Sequence, residues 1–249
     1  MGLFGRFLEI SLPVNDILES LSWYKQLGFS ECPVGDIIDH HYAVVTDGRV
    51  FIGLHSAGID ALTLSFVREN VRAHLAELEA LGLETEGVYQ GEEKFHEVLL
   101  EAPDGVPARL LEARTFSAVA GDDIPLTGQL RFLELRSGKT TESGQFWAAG
   151  GFDLHDLNEA PEEEAAEEGD TFDELFDDEQ EISEQHLELL TPGLTVQLTP
   201  GKRGQRLHLY CADTVSLEEA LVKHDIPYRK KQGTFGLQSP EGTRFIING

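Results

Sequence analysis

Apolar and polar residues alternate over RFLEISLPV (residues 6–14), the period of a strand with one buried face. Asp16 follows as an N-cap, and Glu19 three residues on completes a capping-box-like pair. Ile17, Leu21, Tyr24 and Leu27 then recur at helical spacing, and Gly28 is placed to end the helix. Residues 6–28 therefore predict a strand followed by a helix. The same pairing recurs three times. ALTLSF (61–66) predicts a strand, after which Asn70 caps a helix over VRAHLAELEALG with Val71, Leu75, Leu78 and Leu81 on one face. LRFLELR (130–136) leads to a short helix ending at Gly150-Gly151. RLHLYCA (206–212) leads to LEEALVKH (217–224), stopped by Pro227.

Strand-rich segments follow each helix. APDGVPARLLEA (102–113) and SPEGTRFIING (239–249) match one another: Pro, an acid and Gly make a turn, then a strand begins. HYAVVTDGRVFIGLHS (41–56) and LTVQLTP (194–200) complete the other two units. One short phrase is also written twice. Trp23-Tyr24 precedes Gly28-Phe29, and Phe146-Trp147 precedes Gly151-Phe152. In each copy the aromatics are expected to pack the helix onto its sheet and Gly-Phe to turn the chain into the next strand. Ligand stacking by Trp23 or Trp147 is the alternative.

These segments, LEISLPVND (8–16), WYKQLGF (23–29), LSFVRENVRAHLAELEALGL (64–83) and APDGVPARLLE (102–112) above all, resemble the vicinal oxygen chelate superfamily of glyoxalase I, bleomycin-resistance proteins and extradiol dioxygenases. FLELRS, QFWAAGGF and SPEGTRFIIN echo it in the second half. The resemblance implies an α+β fold of four βαβββ modules, paired into two cup-shaped mixed sheets. It divides the chain into a domain over 1–117, a linker over 118–127 and a degenerate domain over 128–249. Within the last, an acidic insert (156–185) falls where the third module should have its middle strands.

In this superfamily a divalent metal is held by residues on the first and last strands of paired modules. Carried over, the pattern falls on Glu9, Gly53, Thr63 and Arg109 in the first half and on Phe132, Gln197, Arg206 and Ile246 in the second. Gly53, Phe132 and Ile246 offer no donor, and Arg109 and Arg206 bring a fixed positive charge. No cofactor is therefore expected. A divalent metal on Glu9 and His55, two residues beyond Gly53 on the same strand face, is the lesser alternative. Glu9, His55 and Arg109 are the ligand-binding candidates of the first cup, with Trp23 beside them. Glu9 paired with Arg109 as a structural bridge is the other reading. Asp36, Asp39, His40 and His41 cluster in sequence, but alternation sends the two histidines to opposite faces, and His96 reads as a strand-surface residue. No catalytic residue is assigned.

Composition sharpens this picture. The 249 residues carry 45 acids against 19 bases, a net charge of −26, which makes nucleic acid and anionic membranes poor partners. Residues 156–184 hold 15 of those acids and no base, leaving −11 for the remainder. Within that insert Phe172, Leu175 and Phe176 form an apolar stripe at helical spacing, a candidate surface for a protein partner or a lid. Cys32 and Cys211 lie far apart outside any CxxC, so no disulfide framework is expected and a cytoplasmic location fits. No apolar run reaches membrane-helix length, and no signal peptide is visible. The sequence thus points to a metal-independent small-molecule binding protein, monomer or homodimer. Two alternatives stand beside it: a glyoxalase-like lyase, isomerase or dioxygenase-related oxidoreductase, and an interaction protein that works through its acidic insert.

Overall fold

A computed structural model describes residues 2–34, 40–81, 83, 85–89, 97–112, 124–159 and 185–249. In the first half the strands are β1 (Arg6–Pro13), β2 (Ser30–Cys32), β3 (Tyr42–Thr46), β4 (Phe51–His55), β5 (Thr63–Arg68), β6 (Thr85–Tyr89), β7 (Glu97–Glu101) and β8 (Pro107–Glu112), with helices α1 (Ile17–Gln26) and α2 (Leu75–Ala80). In the second half they are β9 (Gln129–Ser137), β10 (Asp153–Asp156), β11 (Leu187–Thr191), β12 (Leu194–Pro200), β13 (Gly204–Tyr210), β14 (Tyr228–Lys231), β15 (Thr234–Gln238) and β16 (Arg244–Asn248), with α3 (Thr140–Gly150) and α4 (Thr214–Lys223). The fold is α+β. Each half is an eight-stranded mixed sheet, in the orders β2-β3-β4-β1-β5-β8-β7-β6 and β10-β11-β12-β9-β13-β16-β15-β14. Two βαβββ modules meet in each sheet through their first strands, β1 against β5 and β9 against β13, both antiparallel. No described helix is long and apolar enough to cross a membrane.

The expected strand-helix units form, with local differences. Asp16 caps α1 by accepting from the backbone N–H groups of Leu18 and Glu19. Asn70 does not act as a cap: its backbone is left-handed, its side chain accepts no cap bond, and a 3-10 turn over 71–74 precedes a short α2. The third module is complete. β10 pairs directly with β11, so the acidic segment lies in the connection between two paired strands rather than in place of them. The insert's central residues, including Phe172, Leu175 and Phe176, lie outside the described residues, as do Asp36, Asp39 and His96.

Alternation splits each sheet into an apolar and a polar face. Ile10, Leu12, Leu64, Phe66, Ala108 and Leu110 belong to a core that continues through Leu133, Leu135, Leu207, Phe245 and Ile247 of the second half. The twice-written phrase builds the joint between the halves. Each copy closes its helix with the same two backbone bonds, from Gly28 to Lys25 and Phe29 to Tyr24, and from Gly151 to Ala148 and Phe152 to Trp147. Gly28 and Gly151 take left-handed φ of 91° and 109°, which glycine adopts without steric cost.

The aromatics do more than hold each helix to its own sheet. Trp23 packs on Phe245 of β16 at 5.4 Å, and Tyr24 donates to Glu241 in the SPEGT turn at 2.7 Å. Reciprocally, Trp147 packs on Phe4, which packs on Phe66, and donates to Asp104 in the APDGV turn at 3.1 Å. The two repeated motifs, aromatic helix and acid-bearing turn, are thus partners across the joint. Burial raises the Asp104 carboxyl above its ordinary range, against the bonds it accepts from Trp147 and Val106. Cys32 and Cys211 are buried free thiols, and burial pushes both up.

Candidate functional site

The polar face of the first sheet carries the candidate residues. On β1 a bulge inserts Leu8 between Phe7, which pairs with Phe66, and Glu9, which pairs with Ser65. A bulge adds one residue to one strand and changes which side chains share a face. Here it leaves Phe7 in the core and puts Glu9 and Ser11 together on the opposite face. Ser65 in turn pairs with Arg109 on β8, so Glu9, Ser65 and Arg109 form one row across three strands. The sequence alignment placed Thr63 in that row. Thr63 pairs with Ser11 instead, and Ser65 takes the position.

Glu9 is 1% exposed, and both its oxygens are occupied. Oε1 accepts from Ser11 Oγ at 2.8 Å and meets His55 Nε2 at 2.8 Å, while Oε2 accepts from Tyr42 Oη at 3.1 Å. Ser11 Oγ also meets Ser65 Oγ at 2.7 Å. Ser11 donates to the carboxylate, so Ser65 is the donor in that second bond. Gly53 makes this arrangement fit, because a Cβ there would overlap the Glu9 carboxylate.

His55 is 1% exposed, and its Nδ1 lies 3.0 Å from His40 Nε2. With Glu9 as a carboxylate, His55 Nε2–H donates to it. That leaves His55 Nδ1 as acceptor and His40 Nε2–H as donor. His40 is half-buried, so a line of hydrogen bonds runs from near the surface through His55 to Glu9. The rings of Tyr42 and His40 stand 4.8 and 5.3 Å from that of His55. Burial, then the charge and hydrogen bond of Glu9, push the Tyr42 phenol far up, while the Arg109 charge acts in the opposite sense. Tyr42 therefore stays a neutral donor.

Arg109 does not pair with Glu9. Its Nε and Nη2 donate to one oxygen of Glu97 on β7, at 3.0 and 2.5 Å. The guanidinium side chain is 8% exposed and that of Glu97 is 35% exposed. Arg109 Nη1 is buried and finds no hydrogen-bond partner among the described residues. The bridge left open between Glu9 and Arg109 is thus replaced by two pairs, Glu9 with His55 and Arg109 with Glu97. Trp23 belongs to neither, since its ring is used at the joint between the halves. His40 and Glu97 were missed in the sequence. Alternation had only separated His40 from His41, and the pairing of β3 with β4 brings it to His55.

The second cup repeats the frame with different chemistry. Phe132, again just after a bulged position, pairs with His208, which pairs with Ile246. His208 therefore holds the row position that the alignment gave to Arg206. Phe132 stacks on the His208 ring at 4.3 Å. Glu134 on β9 meets His208 Nε2 at 2.9 Å, accepts from Thr199 at 2.9 Å and lies 3.6 Å from Arg206 Nη1. Burial pushes the Glu134 carboxyl up, but the hydrogen bond and charge of His208, then Arg206 and Thr199, outweigh it and hold the carboxyl below its ordinary value.

A divalent metal of the kind the superfamily resemblance implies needs several oxygen, nitrogen or sulfur donors converging on one point. The first row offers one carboxylate whose oxygens are taken by protein donors, one hydroxyl and one fixed cation. The second offers one imidazole between a phenyl ring and an isoleucine. Among the described residues, no three His, Cys, Asp or Glu side chains gather to hold an ion. Neither row fits the metal.

No protein-family model matches the sequence, and no curated protein matches it. Solved structures do match. Homoprotocatechuate 2,3-dioxygenase from Arthrobacter globiformis aligns with a TM-score of 0.61 at 13% identity, over 98% of this chain and 79% of that one. A catechol 2,3-dioxygenase aligns at 0.56 and 15%, over 97% and 86%. Homoprotocatechuate 2,3-dioxygenase from Brevibacterium fuscum aligns at 0.59 and 14%, over 98% and 71%. At such identities the likeness is one of fold. The chain has the fold of these dioxygenases along nearly its whole length.

Proposed function

We propose that the protein binds a small polar organic molecule in its first cup without a metal, in the manner of the bleomycin-resistance branch of the superfamily. The observation that carries this is the state of the Glu9–Ser65–Arg109 row. Its acid is already bound to Ser11, Tyr42 and His55, and Arg109, at a position the superfamily pattern gives to a metal ligand, brings a fixed positive charge. Such a row suits a ligand that accepts from a guanidinium and lies against polar side chains. Titration with Mn²⁺ as a paramagnetic probe tests the metal-free part. No broadening confined to the amides of β1, β4 and β8 is expected. Broadening there that disappears in Glu9→Gln would sink the proposal.

A dioxygenase-related enzyme is the second reading, favoured by the near full-length similarity to ring-cleaving dioxygenases. It predicts ring-cleaved product from catechol in air once a divalent metal is supplied; no turnover removes it. The acidic segment around Phe172, Leu175 and Phe176 is assigned to protein contact on sequence grounds alone. Unchanged ligand and partner binding after deletion of 158–184 would end that assignment.

A further inference from the structure

A guanidinium has two edges that can grip a planar anion: Nε with Nη2 from the side, and Nη1 with Nη2 from the end. At Arg109 the side edge is filled by a single oxygen of Glu97. The end edge is left over, and its Nη1 is buried with no acceptor among the described residues. A buried donor without an acceptor costs free energy unless something supplies one. Across the sheet, Glu9 does not supply it: among the described residues its oxygens bond Ser11, His55 and Tyr42 instead. Glu9, Ser65 and Arg109 share one polar row, and the rings of Tyr42 and His40 stand 4.8 and 5.3 Å from that of His55 beside Glu9.

We infer that the Nη1–Nη2 edge of Arg109 seats the carboxylate of the first cup's ligand, so that this ligand is a small organic acid. The inference rests on the proposed small-molecule role of the cup and deepens it. Geometry favours a carboxylate, whose two oxygens match the two parallel N–H groups of a guanidinium edge. Charge favours it over phosphate. Glu97 already offsets the guanidinium, and the protein carries −26, so a second negative charge on the ligand meets net repulsion. Glu97 is the tuning residue: it orients Arg109 and weakens its pull on an incoming anion.

The test uses the full chain and two matched pairs of probes, benzoate with benzamide and propionate with propionamide. Binding is followed through the backbone amides of β1, β4 and β8 by two-dimensional NMR. The acids are expected to shift those amides and to bind about tenfold or more tighter than the corresponding amides, the range for a charge-assisted bond. Arg109→Met should weaken the acids by a similar factor and leave the neutral probes unchanged. Glu97→Gln, which keeps the shape and frees the cation, should tighten the acids several-fold. That second variant carries the test if Arg109→Met does not fold, which its amide dispersion would report. Equal binding of acids and amides, indifferent to both substitutions, would overturn the carboxylate seat while leaving the cup a binding site. No shifts in the cup with any probe would overturn both.

Discussion

Each half of the molecule buries a glutamate against a histidine, but in different registers. In the first cup the acid follows the β1 bulge directly, and its histidine comes from β4. In the second the bulge is followed by Phe132, the acid moves two residues on to Glu134, and the histidine comes from β13. The first pair is sealed, with side-chain exposures of 0% and 1% and, among the described residues, no arginine bonded to it. The second is looser at 17% and 10%, with Arg206 close by. Arg206 helps hold its own cup's acid, whereas Arg109 is paired with Glu97 and leaves its buried Nη1 without an acceptor among the described residues. One frame thus carries two arrangements: in the second cup the acid meets His208 and Arg206, and in the first the acid meets His55 while Arg109 pairs with Glu97.

The comparison breaks hardest at the histidines. His55→Ala leaves a buried carboxylate short of a donor and opens a cavity, and should cost about 3 kcal/mol or more in urea unfolding. His208→Ala leaves Glu134 with Thr199 and Arg206 and should cost about 1–2 kcal/mol. Equal losses would mean that the two pairs do the same structural job. Next come Gly53 and Gln197, which stand opposite Ser11 and Glu134. Gly53→Val must push Glu9 aside and should cost about 1–3 kcal/mol, the usual cost of overpacking. Gln197→Ala makes room rather than filling it and should stay within about 1 kcal/mol.

The smallest effect is in pH. Glu134 has its folded pKa below its unfolded one. The stability it contributes is therefore fully present above the unfolded value, roughly pH 4.3, and is lost as pH falls through the lower folded value. Glu134→Gln should flatten the stability profile in that acid window and leave its shape above it unchanged. A flattening that appeared only near neutrality would contradict the assignment.

Much of this was legible in the sequence because it is local. The four strand-helix units, the Asp16 cap and the two glycine stops follow from periodicity and backbone chemistry. Alternation likewise put Glu9, His55 and Arg109 on one face of their sheet. What was hidden depends on register. A bulge at Leu8 leaves no clear mark in RFLEISLPV, yet it decides which residues share a row, and so Ser65 and His208 were passed over for Thr63 and Arg206. Partners were hidden for the same reason. Arg109 could have met Glu9 or Glu97, and strand pairing decides between them. The repeated aromatic phrase was read as intradomain packing. Only assembly of the halves shows each copy reaching the acid-bearing turn of the other, with Tyr24 on Glu241 and Trp147 on Asp104.

An organic acid on Arg109 of the first cup, with no metal beside it, would have its own mass signature. Native mass spectrometry of gently purified protein, wild type beside Arg109→Met and each compared with its denatured mass, tests this most directly. An excess matching a small organic acid is expected in the wild type and absent from the variant. An excess matching one divalent metal, kept in Arg109→Met and lost in Glu9→Gln, would contradict it.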